Sequence, residues 1–230
     1  MENDLTLKEK YLLLCYHPEK GRLLNSANYT SYGIAGAIML ELAELGKFDV
    51  QNNKVILNNQ KSTGDKALDL VIERIAKTSR SRKVSSWISS IAQSGRMQKI
   101  KAAIRESLVK KRIMKKQEKT ALLIFKYNRY PLHNARLRRQ IINDIHNVVI
   151  NRKIGSKDIM LLTALIGATK MESSFFIREE RKAARKRIKE IMKSNDIAKM
   201  LDSTVTAVQA AVVAAITTTA VVSAATASSG

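Results

Sequence analysis

The segment Ile159–Ala168 constrains the fold most, because its residues, IMLLTALIGA, are apolar around nearly the whole circumference of a helix. A helix without a polar face has to be buried on all sides. The segment Val205–Ile216 is also free of charge and is predicted to pack beside the first. The chain is therefore predicted to be all-α, with central buried helices wrapped by amphipathic helices.

Apolar residues at intervals of three and four predict the surrounding helices. Thr6 and Glu9 have the spacing of a capping box, which starts a helix from Lys8 to about Tyr16. Five more stripes predict helices: Ile34, Ile38, Leu42 and Leu45; Leu68, Val71, Ile72 and Ile75; Val84, Trp87, Ile88 and Ile91; Leu137, Ile141, Ile145 and Val148; Ile188, Ile191 and Met192.

Two segments predict small β-hairpins. In Lys47–Leu57, two short arms flank Asn52-Asn53, residues that tolerate the positive φ of a tight turn. The second segment follows a helix that carries Ile100, Ile104 and Leu108. There, the apolar runs Ile113-Met114 and Ala121–Phe125 flank Lys115–Lys119, so we interpret this segment as a hairpin with a basic tip.

The C-terminal region differs in composition, since no charged residue occurs from Ser203 to Gly230. It is long enough to span a bilayer, but it consists mainly of Ala, Thr and Val and contains Gln209. A buried helix followed by a loose tail is the better interpretation. We predict one domain over residues 1–216 and an Ala/Thr/Ser-rich tail over residues 217–230.

The charge balance predicts a polyanionic partner. The chain has 41 Lys and Arg against 20 Asp and Glu, a net charge of +21. Such an excess favours nucleic acid or an anionic membrane surface. The single cysteine and the polar N-terminal sequence MENDLTLKEK predict a reducing, cytoplasmic location and no secretion signal.

Catalytic patterns are weak. His17, His133 and His146 lack metal-ligand spacing, and Cys15 lies in an apolar run, as expected of an inert buried thiol. Gly33–Gly36 lacks the Lys-Ser/Thr of a nucleotide-binding loop, and close helix packing explains its glycines better. We therefore expect a non-enzymatic protein without a cofactor or metal ion.

Binding patterns are stronger. Lys101 and Arg105 are four residues apart and share one helix face, where both could hold a phosphate; two solvated cations are the alternative. The helix that ends at Gly46, with the hairpin after it, also suggests a winged-helix DNA-binding arrangement. That helix is predicted to be buried and carries Glu41 and Glu44 rather than base-reading side chains.

Several segments together resemble the Golgi phosphoprotein 3 family. In order they are LTLKEKYLLL, GAIMLELAELGKFDV, KVILNNQKSTGDKALD, RESLVKK, TALLIFKYNRYPLHN, IMLLTALIGATKMESSFF and VQAAVVAAI, from Leu5 to about Ile216. The resemblance implies one all-α domain with a projecting hairpin beside a basic headgroup pocket. It also implies a peripheral adaptor on the cytosolic face of the Golgi that binds phosphatidylinositol 4-phosphate and helps to retain glycosyltransferases.

The family's pocket is only partly matched. Its tryptophan falls on Ser26, one arginine on Ala35, and the first arginine of a closely spaced pair on Ala102, whereas the second matches Arg105. Lys101 is adjacent and could substitute as a point charge, without the planar fork of arginine. The resemblance therefore implies less selective binding to anionic lipid, with phosphatidylinositol 4-phosphate as one member of that class.

The sequence thus assigns Arg105 and Lys101 to the lipid headgroup, and Lys115, Lys116 and Lys119 to a membrane-docking hairpin. A protein partner or a second copy of the chain is an additional candidate. Two alternatives remain open at this point. The same basic surface could bind nucleic acid, or the chain could be a helical scaffold that self-associates through its C-terminal segment.

Overall fold

A computed structural model of the chain describes residues 5–121, 125–193 and 203–227. Within these residues the chain is mainly helical, with two antiparallel two-stranded hairpins, which confirms the predicted fold class. The elements are α1 (Leu7–Leu14), α2 (Ala27–Glu44), β1 (Phe48–Gln51), β2 (Lys54–Leu57), α3 (Lys66–Ala76), α4 (Val84–Ala92), α5 (Met97–Lys110), β3 (Gln117–Ala121), β4 (Phe125–Arg129), α6 (Arg136–Val149), α7 (Lys157–Ala168), a 3-10 turn (Glu172–Ser174), α8 (Arg181–Lys193) and α9 (Ser203–Ala227).

The centre of the molecule is the contact between α2, α7 and α9. Gly36 of α2 lies at this contact, because a Cβ added there would stand 2.7 Å from Val212 and 3.2 Å from Leu165. The predicted central helix α7 is buried along nearly all its length, and α2 shares that position from Thr30 to Ala43. The glycines of α2 therefore allow close helix packing, as predicted.

The start of α1 and the turn between β1 and β2 form as the local sequence predicts. Thr6 and Glu9 form the capping box of α1, and the Glu9 carboxylate accepts the Thr6 N–H at 3.0 Å. Asn52 and Asn53 adopt φ values of 50° and 62° between β1 and β2, which confirms the first hairpin. The four-residue arms and their turn need only these two residues in the left-handed region.

The second hairpin exists, but the predicted arms and basic tip are wrong. Gln117–Ala121 pairs with Phe125–Arg129, and the residues that connect these strands, 122–124, lie outside the described part of the chain. Ile113 and Met114 are buried, and the Ile113 N–H bonds to the Leu108 carbonyl at 2.9 Å. This apolar pair closes α5 against the core, because burial there removes it from water. Lys115–Lys119 therefore leads into and begins the first strand.

Helix α9 continues to Ala227, past the position at which a loose tail was expected. Alanine has the highest helix propensity of all residues, so an Ala-rich sequence readily extends a helix already anchored by packing. The anchor is a buried stripe of Val205, Val208, Val212 and Ile216. No helix in the described part of the chain is long and apolar enough to cross a membrane.

A buried ion-pair cluster joins α1, α2 and the start of α3. The Lys8 ammonium lies 2.6 Å from the Glu41 carboxylate and 2.9 Å from that of Asp65. Burial alone would lower the pKa of Lys8, but the charges and hydrogen bonds of Glu41 and Asp65 outweigh burial and raise the pKa above its ordinary value. Glu41 is therefore a structural partner of Lys8 in the core.

Candidate functional site

Helix α5 places Lys101 and Arg105 together, but Lys101 is not a solvated cation. It is 4% exposed, and its ammonium donates to the Ser31 hydroxyl at 2.8 Å and the Ala27 carbonyl at 3.4 Å. These acceptors belong to the first turns of α2. Burial, with a further contribution from the positive charge of Arg105, lowers the pKa of Lys101.

Arg105 is half-buried over an aromatic platform. Its guanidinium lies 4.9 Å from the centre of the Tyr130 ring, and one N–H faces the Tyr16 hydroxyl at 3.4 Å. The two tyrosine rings meet edge to face, with centroids 6.2 Å apart. The Nε of Arg105 is buried without a hydrogen-bond partner in the described residues. The guanidinium therefore has donor capacity that the fold leaves unused.

Neither cation has a carboxylate partner in the described part of the chain, since their polar contacts are the hydroxyls and carbonyl above. An isolated charge in a desolvated position is unfavourable unless an opposite charge compensates it. Two such cations beside each other increase this cost through mutual repulsion. The positive charge of the Lys101–Arg105 pair is therefore not compensated by a carboxylate among the described residues.

Arg138 of α6 is a third cation near this site, and the sequence analysis missed it. Its guanidinium lies 5.8 Å from the Phe175 ring, and its Nε is buried without a partner in the described residues. Burial lowers the pKa of Arg138. The sequence position of Arg138, immediately after Leu137 in the apolar stripe of α6, could have indicated that it is partly buried. An arginine next to such a stripe usually lies on the solvated face of the helix, so the sequence alone does not decide this.

Cys15, at the end of α1, lies within the influence of Lys101 and Arg138. The thiol is fully buried, and burial raises its pKa to about 12, although both cations act in the opposite direction. The thiol is therefore protonated at neutral pH and cannot act as a thiolate nucleophile. The predicted burial of the cysteine is confirmed.

The base of the second hairpin lies beside Arg105. The Lys115 N–H donates to the Pro131 carbonyl at 2.8 Å, and the Tyr130 N–H donates to the Gly21 carbonyl at 3.0 Å. Gly21 has φ +56°, and an added Cβ would collide with the backbone of Tyr130 and Pro131. This close approach holds Tyr130, which carries the aromatic platform, between the hairpin and Arg105.

The three hairpin lysines are exposed, but they are not equally close to Arg105. Lys115 is at the base through its bond to Pro131, and Lys116 follows it. Lys119 lies in β3 opposite Tyr127, further from the helical body. The structure thus places Lys115 and Lys116 before the first strand, close to the helix face, and Lys119 within that strand next to Glu118.

The three positions at which the family's pocket residues are missing lie in different surroundings. Ser26 is exposed and caps α2, accepting the Tyr29 N–H at 3.3 Å, and Ala102 is half-buried beside Lys101. Ala35 is fully buried in α2. Ser26 thus borders the Lys101 environment through its neighbour Ala27, whereas Ala35 packs in the core.

His146 and His17 have structural side-chain contacts. His146 Nε2 lies 3.0 Å from a Glu180 carboxylate oxygen, and its ring stacks on Phe176 at 5.9 Å. His17 Nδ1 accepts the N–H groups of Glu19 and Lys20. In the residues that the structure describes, no group of three or more His, Cys, Asp or Glu could hold a metal ion.

Fold and site together define a helical protein in which the basic residues Lys101 and Arg105 lie beside a β-hairpin. A family model described as Golgi phosphoprotein 3 (GPP34) matches residues 7–219, nearly the whole chain. The chain therefore belongs to the Golgi phosphoprotein 3 family.

One relative is the vacuolar protein sorting-associated protein 74 of Schizosaccharomyces pombe. It is 30% identical over 169 residues, which cover 65% of this chain and 50% of the relative. The chain thus spans about half the length of that curated relative. Neither this likeness nor the buried position of α2 supports the nucleic-acid alternative.

Proposed function

We propose that this chain is a non-enzymatic peripheral membrane adaptor that binds anionic lipid at the Lys101–Arg105 face and the adjoining hairpin. The observation that carries the proposal is a buried lysine beside a half-buried arginine, neither of which has a carboxylate partner in the described residues. A phosphate at this face would accept hydrogen bonds from Arg105 and offset the repulsion between the two charges.

The hairpin would add electrostatic attraction to this contact. A basic residue close to an anionic leaflet contributes about 1 kcal/mol. Lys115, Lys116 and Lys119 are exposed and follow one another outward from the site. Together they would supply reversible attachment at moderate salt, while the Lys101–Arg105 face holds the headgroup.

Phosphatidylinositol 4-phosphate is the headgroup that family membership favours, but the pocket supports a broader preference. Ser26 and Ala102 border the site without an aromatic or guanidinium group, and Ala35 is buried away from solvent. Arg105 alone can form a forked contact with a phosphate, because Lys101 offers a point charge. We therefore propose recognition of anionic lipid in general, at a Golgi membrane, with a protein partner on another face.

Flotation with liposomes tests this function. Vesicles with acidic lipid should carry the protein upward, whereas neutral vesicles should not. Reversal of Lys115, Lys116 and Lys119 to Glu should weaken binding by roughly a hundredfold, from the sum of about 1 kcal/mol per site. The control reverses three exposed lysines elsewhere, Lys54, Lys61 and Lys153, with the same change in net charge. Equal flotation of both variants and the parent protein would contradict the proposal.

A further inference from the structure

A second basic surface lies along α8 and the turn before it. Six cationic side chains line a groove of about 530 Å³: Arg178, Arg181, Lys182, Arg185, Lys186 and Lys189. Their spacing of three and four residues places them on adjacent turns of one helix face. None of them belongs to the Lys101–Arg105 face or to the hairpin.

The fold uses only part of this charge. Arg181 donates to the carbonyls of Phe176 and Ser173, and Arg185 pairs with Glu172 at 2.8 Å. Lys182, Lys186 and Lys189 are exposed, and no ion pair connects them to any acidic residue in the described part of the chain. The fold therefore leaves like charges side by side along the groove.

An apolar groove of about 680 Å³ adjoins the basic one. Its walls come from three helices, α7, α8 and α9, and consist of Gly167, Ala168, Ile188, Met192 and Val213. Its rim is cationic, with Lys170 and Lys193 beside Arg185 and Lys189, and Glu172 is the acidic residue among the described lining residues. Arg185 and Lys189 line both grooves, so the two lie next to each other along α8.

We propose that this surface docks an acidic amphipathic segment of a partner protein. Apolar side chains of the segment enter the groove between α7, α8 and α9, and its carboxylates lie along Lys182, Lys186 and Lys189. Both the charge and the apolar cleft are complementary to such a segment, which is the helix-in-groove mode of recognition. A bilayer fits less well, because the apolar groove lies between three helices, where a single peptide segment can insert side chains and a lipid surface cannot.

Fluorescence anisotropy with a labelled synthetic peptide tests the proposal. The peptide carries Leu and Glu at helical spacing over about four turns, so that one face is apolar and the other acidic. A second peptide has the same composition in an order that mixes both residues on every face. The full chain should bind the amphipathic peptide at least tenfold more tightly than the mixed one.

Two variants locate the binding. The double change Lys182→Glu and Lys186→Glu should weaken binding of the amphipathic peptide by about a hundredfold, since two attractive contacts become repulsive. Met192→Gln should weaken it by several-fold, because it places a polar amide in the apolar groove. The matched control, Lys54→Glu with Lys153→Glu, should leave binding unchanged.

Flotation of the same variants separates this inference from the proposed lipid function. Loss of peptide binding in the α8 double variant, with normal flotation on acidic vesicles, supports docking of a protein segment. Equal binding of both peptides, or peptide binding that the α8 variant leaves intact, would overturn it. Loss of vesicle flotation without loss of peptide binding would also overturn it and identify α8 as a membrane contact.

Discussion

Lys8 and Lys101 are both buried almost completely, and their surroundings are opposite. Lys8 is 1% exposed and contacts two carboxylates, those of Glu41 and Asp65, at 2.6 and 2.9 Å. Lys101 is 4% exposed and contacts a hydroxyl and a carbonyl, with Arg105 as its charged neighbour. The pKa of Lys8 is raised by its carboxylates, whereas burial and then Arg105 lower the pKa of Lys101.

This difference separates a cation whose charge the fold compensates from one whose charge has no carboxylate partner in the described part of the chain. The ion pairs of Lys8 are complete within the fold, so they fix α1 against α2 and α3. Lys101 and Arg105 lack that compensation in the described part of the chain, and an external anion would provide it. Buried charge without a partner is costly, and the half-buried Arg105 is the member of the pair that an external anion could reach.

The largest effect should follow from Lys8→Ala. The change leaves the buried Glu41 carboxylate without its cation, which costs about 3–5 kcal/mol of unfolding free energy. Urea unfolding measures it. Lys10→Ala is the neighbouring control, because Lys10 pairs with the partly exposed Asp158 and should cost less than about 1 kcal/mol. Equal losses in the two variants would contradict a special role for Lys8.

Arg105→Gln should have the opposite effect to Lys8→Ala: a small loss of stability and a clear loss of binding to acidic vesicles. The guanidinium contacts Tyr16 and Tyr130 but no carboxylate in the described residues, so unfolding free energy should fall by no more than about 1 kcal/mol. Binding to acidic vesicles should weaken about tenfold, because a charge-assisted contact to phosphate is lost. Cosedimentation of parent and variant protein measures this. A large loss of stability with unchanged vesicle binding would show that Arg105 stabilises the fold and does not bind lipid.

Lys101→Met tests the buried member of the pair. The Ala27 carbonyl keeps a partner, because the Ser31 hydroxyl also donates to it at 2.7 Å. The unfolding free energy should therefore stay within about 1 kcal/mol of the parent value, since removal of a desolvated cation offsets the lost hydrogen bond. Binding to acidic vesicles should still weaken several-fold. A destabilisation as large as that of Lys8→Ala would contradict the distinction.

The pH dependence of stability should differ in sign for the two lysines. The folded-state pKa of Lys101 lies below 10.5, so between that pKa and 10.5 the unfolded chain binds more protons and stability rises with pH. The contribution of Lys8 is complete below 10.5 and is lost as pH rises through its raised folded-state pKa. Because the raised pKa of the Cys15 thiol makes stability fall with pH in both proteins, the contribution of Lys101 is measured as a difference. In urea unfolding at several alkaline pH values, the unfolding free energy of the parent protein relative to that of Lys101→Met should increase with pH.

The elements that depend on local sequence patterns could be predicted from the sequence. Helices α2 and α7 and the Asn52-Asn53 hairpin follow from local spacing and turn chemistry and lie close to where they were expected, whereas α9 covers the expected helix and continues beyond it. The strand boundaries of the second hairpin could not be predicted in the same way. Two apolar runs were available, and only the core decides that Ile113 is buried rather than placed in a strand.

The site was predictable in part for a similar reason. Four-residue spacing places Lys101 and Arg105 on one helix face, but it cannot reveal that Lys101 is buried against α2. The pairing of Lys8 with Glu41 joins residues that are 33 positions apart, and Arg138 approaches from α6. Such contacts depend on how helices pack, which spacing within one helix does not encode.

The pKa of the Lys101 ammonium, measured by NMR in protein with isotope-labelled lysine, tests the central claim most directly. It should lie below the ordinary lysine value in the free protein. It should rise when inorganic phosphate or the soluble headgroup glycerophosphoinositol 4-phosphate is added, because the bound anion compensates the charge. Lys8 provides the internal reference and should not move. A Lys101 pKa that is ordinary in the free protein, or unchanged by both anions, would contradict an anion site at Lys101 and Arg105.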